Sequence, residues 1–279
     1  MSVVTIPESD TILAANAVTN AYGSVKTGEA FIPGKSIPIK RNGDSDWRVY
    51  ISFAKKDEAA FIPHLGLLEI WHKAFQRSGL PVVFTEGFNP MPRFEIAQSL
   101  SLGVFSNDEI ASFMLSEGVA ESELLERLSQ VLPRAITINR VIAHPLSMKT
   151  KREPLCKYLW GSTYEYSFYE RCDHEAVTAD ERFRLFVESH GADGVVVETN
   201  AATSDSPHPD EARLRVTVPF AHDRPIRDLI AEIRGKTIYE VMEIRKIASL
   251  AVGKTGKARD FFEHFAEVAD MHRQLLKAE

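Results

Sequence analysis

The sequence predicts an α+β protein: two tandem ferredoxin-like units, each β-α-β-β-α-β, followed by an amphipathic helix. Three observations carry this. Short apolar runs alternate with period two, whereas longer ones recur with period 3.6. The order of these runs is the same in both halves of the chain. The 279 residues, 44% of them hydrophobic, are enough for two ordinary units.

Residues 1–46 mix Ser, Thr, Asn, Gly and Pro with short apolar pieces and show no sustained period, which predicts a flexible arm. Order begins at Trp47. Trp47, Val49, Ile51 and Phe53 alternate with Arg48, Tyr50, Ser52 and Ala54, the signature of a strand. Leu67, Ile70, Trp71, Ala74 and Phe75 then lie on one face of a helix spanning 64–78. Gly79, followed by Leu80-Pro81, stops it: glycine takes the left-handed cap and proline cannot continue. Strand-like runs follow at 82–85, 94–99 and 109–115. A helix over 121–132 is closed by Pro133, and Ile136, Ile138 and Ile142 predict the fourth strand of a unit covering 47–145.

A basic linker, 146–160, leads to the second unit, 161–250. Tyr164, Tyr166 and Phe168 alternate as a strand. Thr178 with Glu181 forms a capping box for a helix to Ser189. Val195–Val197 and Leu214, Val216 and Val218 predict strands. Asp223 and Pro225 open another helix, which Gly235 ends, and 238–247 predicts the last strand. The tail, 251–279, carries Phe261, Phe262, Phe265, Val268, Ala269, Leu275 and Leu276 on one helical stripe, predicted to pack back on the body.

Composition excludes several classes. Two cysteines, Cys156 and Cys172, cannot make a disulfide scaffold, a four-cysteine zinc site or a thiolate-held cluster. No apolar run reaches the roughly 20 residues that span a bilayer, and no signal-peptide pattern opens the chain, so the expectation is a cytoplasmic protein without a membrane partner. Cys172-Asp173-His174 is compact but lacks the further ligands of a metal site. Gly253-Lys254-Thr255 lacks the upstream glycine of a phosphate loop, where Ala248 stands, and no dinucleotide fingerprint occurs. No cofactor is expected.

Charge is uneven. The net balance is −6, and residues 161–243 hold nine basic and seventeen acidic side chains. Arg245, Lys246, Lys254, Lys257 and Arg259 nevertheless form a run without an acid, and Lys149, Lys151, Arg152 and Lys157 form another with Glu153 alone. Such strips are what a phosphate backbone reads. Gly87-Phe88-Asn89-Pro90-Met91-Pro92-Arg93 predicts a stiff loop, because Asn89 and Met91 each precede a proline. His64 opens the first helix, and a helix amino end favours a neutral imidazole and welcomes anions.

The run from Val49 to Gly103 resembles the radical SAM-linked proteins, a family built on a domain of unknown function fused to, or encoded beside, radical SAM proteins. The matching positions are Phe53 and Lys55, His64, Gly79-Leu80-Pro81, Gly87-Phe88-Asn89-Pro90 and Pro92-Arg93, with Leu100-Ser101-Leu102-Gly103-Val104 beyond. Pro63-His64-Leu65-Gly66 departs from the family's Ser-His-x-Asp, and Glu69 and Met91 stand where bases are common. The resemblance implies an accessory protein whose radical SAM enzyme is a separate polypeptide. With the basic strips it gives the expectation of an RNA-binding or substrate-presenting partner, with Lys55, Gly87, Phe88, Asn89, Arg93, Lys151, Arg152, Arg245 and Lys246 meeting the ligand in one trough. The expected fold is also similar to tandem ferredoxin-like endoribonucleases that process CRISPR repeats. That similarity implies His64 as a metal-independent acid/base. A third reading is a structural adaptor that binds a protein through the C-terminal helix.

Overall fold

A computed structural model describes residues 46–146, 153–170, 196–200, 212–219, 239–252 and 258–278. The first unit runs β1 (Trp47–Lys55), α1 (His64–Ser78), β2 (Phe94–Ile96), β3 (Val104–Leu115), α2 (Glu121–Val131) and β4 (Ile136–Pro145). β1 pairs antiparallel with both β3 and β4, and β2 pairs antiparallel with β3, so the order is β4-β1-β3-β2. That is the split β-α-β order of a ferredoxin-like sheet. The second unit supplies β5 (Leu159–Glu170), β6 (Val196–Asn200), β7 (Ala212–Pro219) and β8 (Tyr239–Val252), again antiparallel, in the order β8-β5-β7-β6. The helices expected at 178–189 and 223–235 lie outside the described residues, as do the arm before Asp46 and the linker residues 147–152.

The two sheets are one sheet. β3 and β8 join parallel through Val104↔Ile244, Phe105↔Arg245 and Ser106↔Lys246. A short strand β9 (Ala258–Asp260) pairs with β8 and leads into α3 (Phe261–Ala278). The sequence places the helix start near 258. The structure starts it at Phe261 because the Asp260 carboxylate accepts the amides of Phe262 and Glu263, at 2.8 and 3.0 Å, and so caps it.

Alternation in β1 buries both of its faces. Val49, Ile51 and Phe53 meet α1 and α2 in a core with Trp71, Phe75, Leu124 and Leu128. Aromatic rings pack closely there, Phe53 on Trp71 at 5.2 Å and Phe75 on Phe113 at 4.8 Å. On the opposite face Tyr50 lies 4.0 Å from Phe265, and α3 covers it with Phe261 and Phe262. The C-terminal helix therefore packs back on the body, as its stripe predicts. α1 ends where expected, with Gly79 in the left-handed region at φ 66°. Of the run 82–85, Val82 and Phe84 make isolated bridges, to Leu115 and Pro92, and no full strand forms.

Candidate functional site

The end of the first unit where β1 gives way to α1 collects the exposed features. After Lys55 the chain makes a 3-10 turn, Asp57–Phe61, entered through Asp57 at φ 45°, a left-handed conformation unusual outside glycine. The turn delivers Phe61 to the surface, 66% exposed. Its ring stands edge-on to Phe105 of β3, with centroids 6.4 Å apart. The parallel pairing of β3 with β8 brings Arg245 beside Phe105, and the guanidinium lies over that ring at 5.1 Å. Arg245 also donates to Glu243, at 2.6 and 2.9 Å, and to Asn107 at 3.3 Å, which fixes its plane.

His64 is the first residue of α1 and is half-buried. Pro63 at the cap makes no side-chain bond and the first turn holds no acid, so no carboxylate of that turn offsets the positive helix end. Leu65 and Leu102, both largely exposed, flank this end of the fold.

Lys55 and Lys246 are not surface cations. They are 2% and 1% exposed. Lys246 pairs with Glu109 at 3.2 Å, and Ser106 donates to the same carboxylate at 2.9 Å. Lys55 donates to the Ile62 carbonyl at 3.4 Å, and burial holds its ammonium below the ordinary lysine range, with Glu109 opposing. The expectation that both line an open trough is corrected here. β8 seals β3 along this seam, which buries Lys246 and leaves its neighbour Arg245 partly exposed.

The stiff loop lies elsewhere on the first unit. Gly87 has φ 134°, Phe88 is fully exposed at the tip, and Asn89 beside it is exposed. Arg93 is half-buried, and its amide donates to Val83 at 2.8 Å, closing the loop as a narrow hairpin with Thr85 bonded to Met91. Lys151, Arg152 and the Cys172-Asp173-His174 cluster lie outside the described residues. Among the described residues no group of three or more His, Cys, Asp or Glu could hold a metal ion, and no helix is long and apolar enough to cross a membrane.

Two buried polar networks escaped the sequence reading. Asp108 on β3 accepts from Ser52 of β1 at 2.5 Å and from the Ser249 amide of β8 at 2.7 Å. Arg140 of β4 lies 3.5 Å from Asp108 and grips Asp260 through two bonds of 2.9 and 3.0 Å. This chain ties both units and α3 together. On the same side His144 stacks on His272 of α3 at 4.8 Å, and Tyr50 stacks on His144 at 5.7 Å. The visible signal was Asp108-Glu109, an acidic pair inside an apolar strand, where a carboxylate needs a buried partner. Phe61 was signalled by the apolar run Ala59–Ile62 ahead of Pro63-His64.

The family model for "Uncharacterized protein conserved in bacteria (DUF2344)" matches residues 48–198. No curated protein matches. Among solved structures, an unknown protein from Galdieria sulphuraria is similar over 73% of this chain and 99% of its own, with 14% identity and a TM-score of 0.21. A candidate chlorite dismutase is similar over 72% and 91%, with 11% identity and a TM-score of 0.26. A candidate glycine cleavage system transcriptional repressor is similar over 68% and 90%, with 9% identity and a TM-score of 0.19. Superpositions this loose bear on neither fold nor function. The family match spans more than half of the chain and takes in β1 to β5, α1 and α2, so the protein belongs to DUF2344, a conserved bacterial family without an assigned activity.

Proposed function

We propose that this DUF2344 protein is a cytoplasmic accessory partner of a separate radical SAM enzyme, and that it holds single-stranded RNA for that enzyme. The observation that supports the RNA reading is the cluster of Phe61, edge-on to Phe105, with the Arg245 guanidinium over the Phe105 face, where the two units meet. Splayed bases stack on aromatic faces and guanidinium planes, each worth about 1–3 kcal/mol. The uncompensated amino end of α1 beside Phe61 offers a place for a phosphate. A second reading, a docking face for a protein, is favoured by Leu65 and Leu102, which are 78% and 62% exposed near the same end.

Fluorescence anisotropy with short single-stranded RNA at rising salt separates the readings. The proposal expects salt-dependent binding that weakens by about 1–3 kcal/mol in Phe61→Ala and again in Arg245→Ala. Absent binding, or binding indifferent to both substitutions, rejects it. Cleavage that persists in chelator and is lost in His64→Ala would replace it with the ribonuclease reading.

A further inference from the structure

Strand β4 lies at the outside of the sheet, with β1 its one neighbour among the described strands. The bonds of Ala143 to Glu121 and Arg273, taken with the register against β1, show which peptide groups face outward. Tyr50 opposes Ile142 and Val49 opposes Ala143, and peptide groups alternate in direction along a strand. Those of Val141 and Ala143 turn away from β1. Both groups of Ala143 are already taken. Its N–H donates to Glu121 Oε1 at 2.9 Å, and its C=O accepts from Arg273 Nη2 at 2.8 Å. Glu121 and Arg273 meet at 3.4 Å, and Asp270 holds the guanidinium at 2.9 Å.

One carboxylate and one guanidinium thus stand where the C=O and N–H of an added strand would stand. They come from opposite faces of the sheet, Glu121 from the start of α2 and Arg273 from α3. Two residues further, Pro145 has no N–H to offer. A cleft of about 400 Å³, lined by Trp47, Gly118, Glu121, Ala143 and Arg273, runs beside the edge, so an opened edge has room next to it.

We infer that the Glu121–Arg273 pair is a guard that keeps β4 closed to strand addition, and that the occupant it excludes is a second copy of this chain. Self-pairing fits the pattern of outward groups. An antiparallel pair about a twofold axis through Ile142 sets Val141 opposite Ala143 twice and uses the donors and acceptors of both. Sliding two residues brings in Pro145 and loses a donor. Both guard side chains are about half-exposed and can swing aside, which suits a closure that acts by occupying hydrogen-bond positions.

Light scattering after size-exclusion chromatography of the full chain tests this. Glu121→Ala with Arg273→Ala should double the wild-type mass in a concentration-dependent way. Adding Ala143→Pro, which removes only an outward N–H, should restore the wild-type mass. A double variant that keeps the wild-type mass, or a doubled mass that survives Ala143→Pro, overturns the inference. If the double variant does not fold, amide exchange of the wild type decides. The guard expects the Ala143 amide to be protected and the Val141 amide to exchange freely; equal rates overturn it.

Discussion

The stacked imidazoles under α3 make stability fall in mild acid, by an amount the structure sets. His144 is fully buried, and its Nδ1 donates to the Pro145 carbonyl at 3.0 Å. Nε2 is therefore a bare lone pair, and among the described residues it has no partner. Burial is the main reason its pKa is pushed down to about 4, with His272, Arg48 and Arg273 adding repulsion. Burial and Arg48 push His272 down as well. The sign follows from proton counts. Between about 4 and the ordinary 6.5 the unfolded chain binds a proton at His144 that the folded chain refuses, so stability is lost as pH falls through that window. The full difference is about 3.4 kcal/mol, of which about 2 kcal/mol is gone by pH 5. His144→Phe keeps a flat ring between Tyr50 and His272 but cannot titrate. Urea unfolding followed by tryptophan fluorescence at pH 7 and pH 5 gives the loss for each protein. The wild type should lose about 2 kcal/mol more than the variant. Equal losses would show that protonating His144 is not resisted by the fold, and the reasoning from its burial would fail.

Two further outcomes follow from the seams of the sheet. Glu109→Gln leaves the Lys55 and Lys246 ammonium groups buried without a carboxylate, and the urea midpoint should fall by the equivalent of about 3–5 kcal/mol. An unchanged midpoint would mean that water reaches the cluster. Gly161→Ala puts a methyl 2.1 Å from the Val218 carbonyl oxygen across the β5–β7 pair, and should cost about 1–3 kcal/mol in thermal unfolding; a melting temperature equal to the wild type would contradict that close approach.

Periodicity reports elements well and partners badly. β1, α1 and α2 are legible because their apolar positions repeat over many residues, and Gly79 marks its cap by needing positive φ. The strand order of each unit follows from the β-α-β-β-α-β order, since few chain paths bury such a sheet. The joining of β3 to β8 is not legible. It depends on residues more than a hundred positions apart, and their alternation is the same whether a strand lies at an edge or in the middle. Lys246 was misjudged for that reason, whereas Lys55 is covered by the turn that follows β1, where the Ile62 carbonyl meets its ammonium. A lysine on a strand counts as a surface cation only if no neighbouring strand covers it. Arg245 stayed accessible because the same seam turns alternate side chains of β8 to opposite faces. Phe61 and Phe105 went unnoticed because aromatic residues are ordinarily core, and only a turn with a left-handed Asp57 lifts Phe61 out.

The strand that completes the middle of the sheet is made more than a hundred residues after the strand it joins. β8 is fourth of the seven strands along the main path, and its Ser249 bonds Asp108 across 141 residues of sequence. On the ribosome the first unit can fold well before β8 emerges, with this part of β3 waiting as an open border. Asp108, bonded to Ser52 of β1, and Glu109, bonded to Ser106, then stand on that border without their β8 partners, and acidic side chains on a waiting border discourage an incorrect strand from annealing there. When β8 arrives, the Lys246 ammonium pairs with Glu109 and the Ser249 amide bonds Asp108, so the acids that protect the nascent chain become the rivets of the finished one.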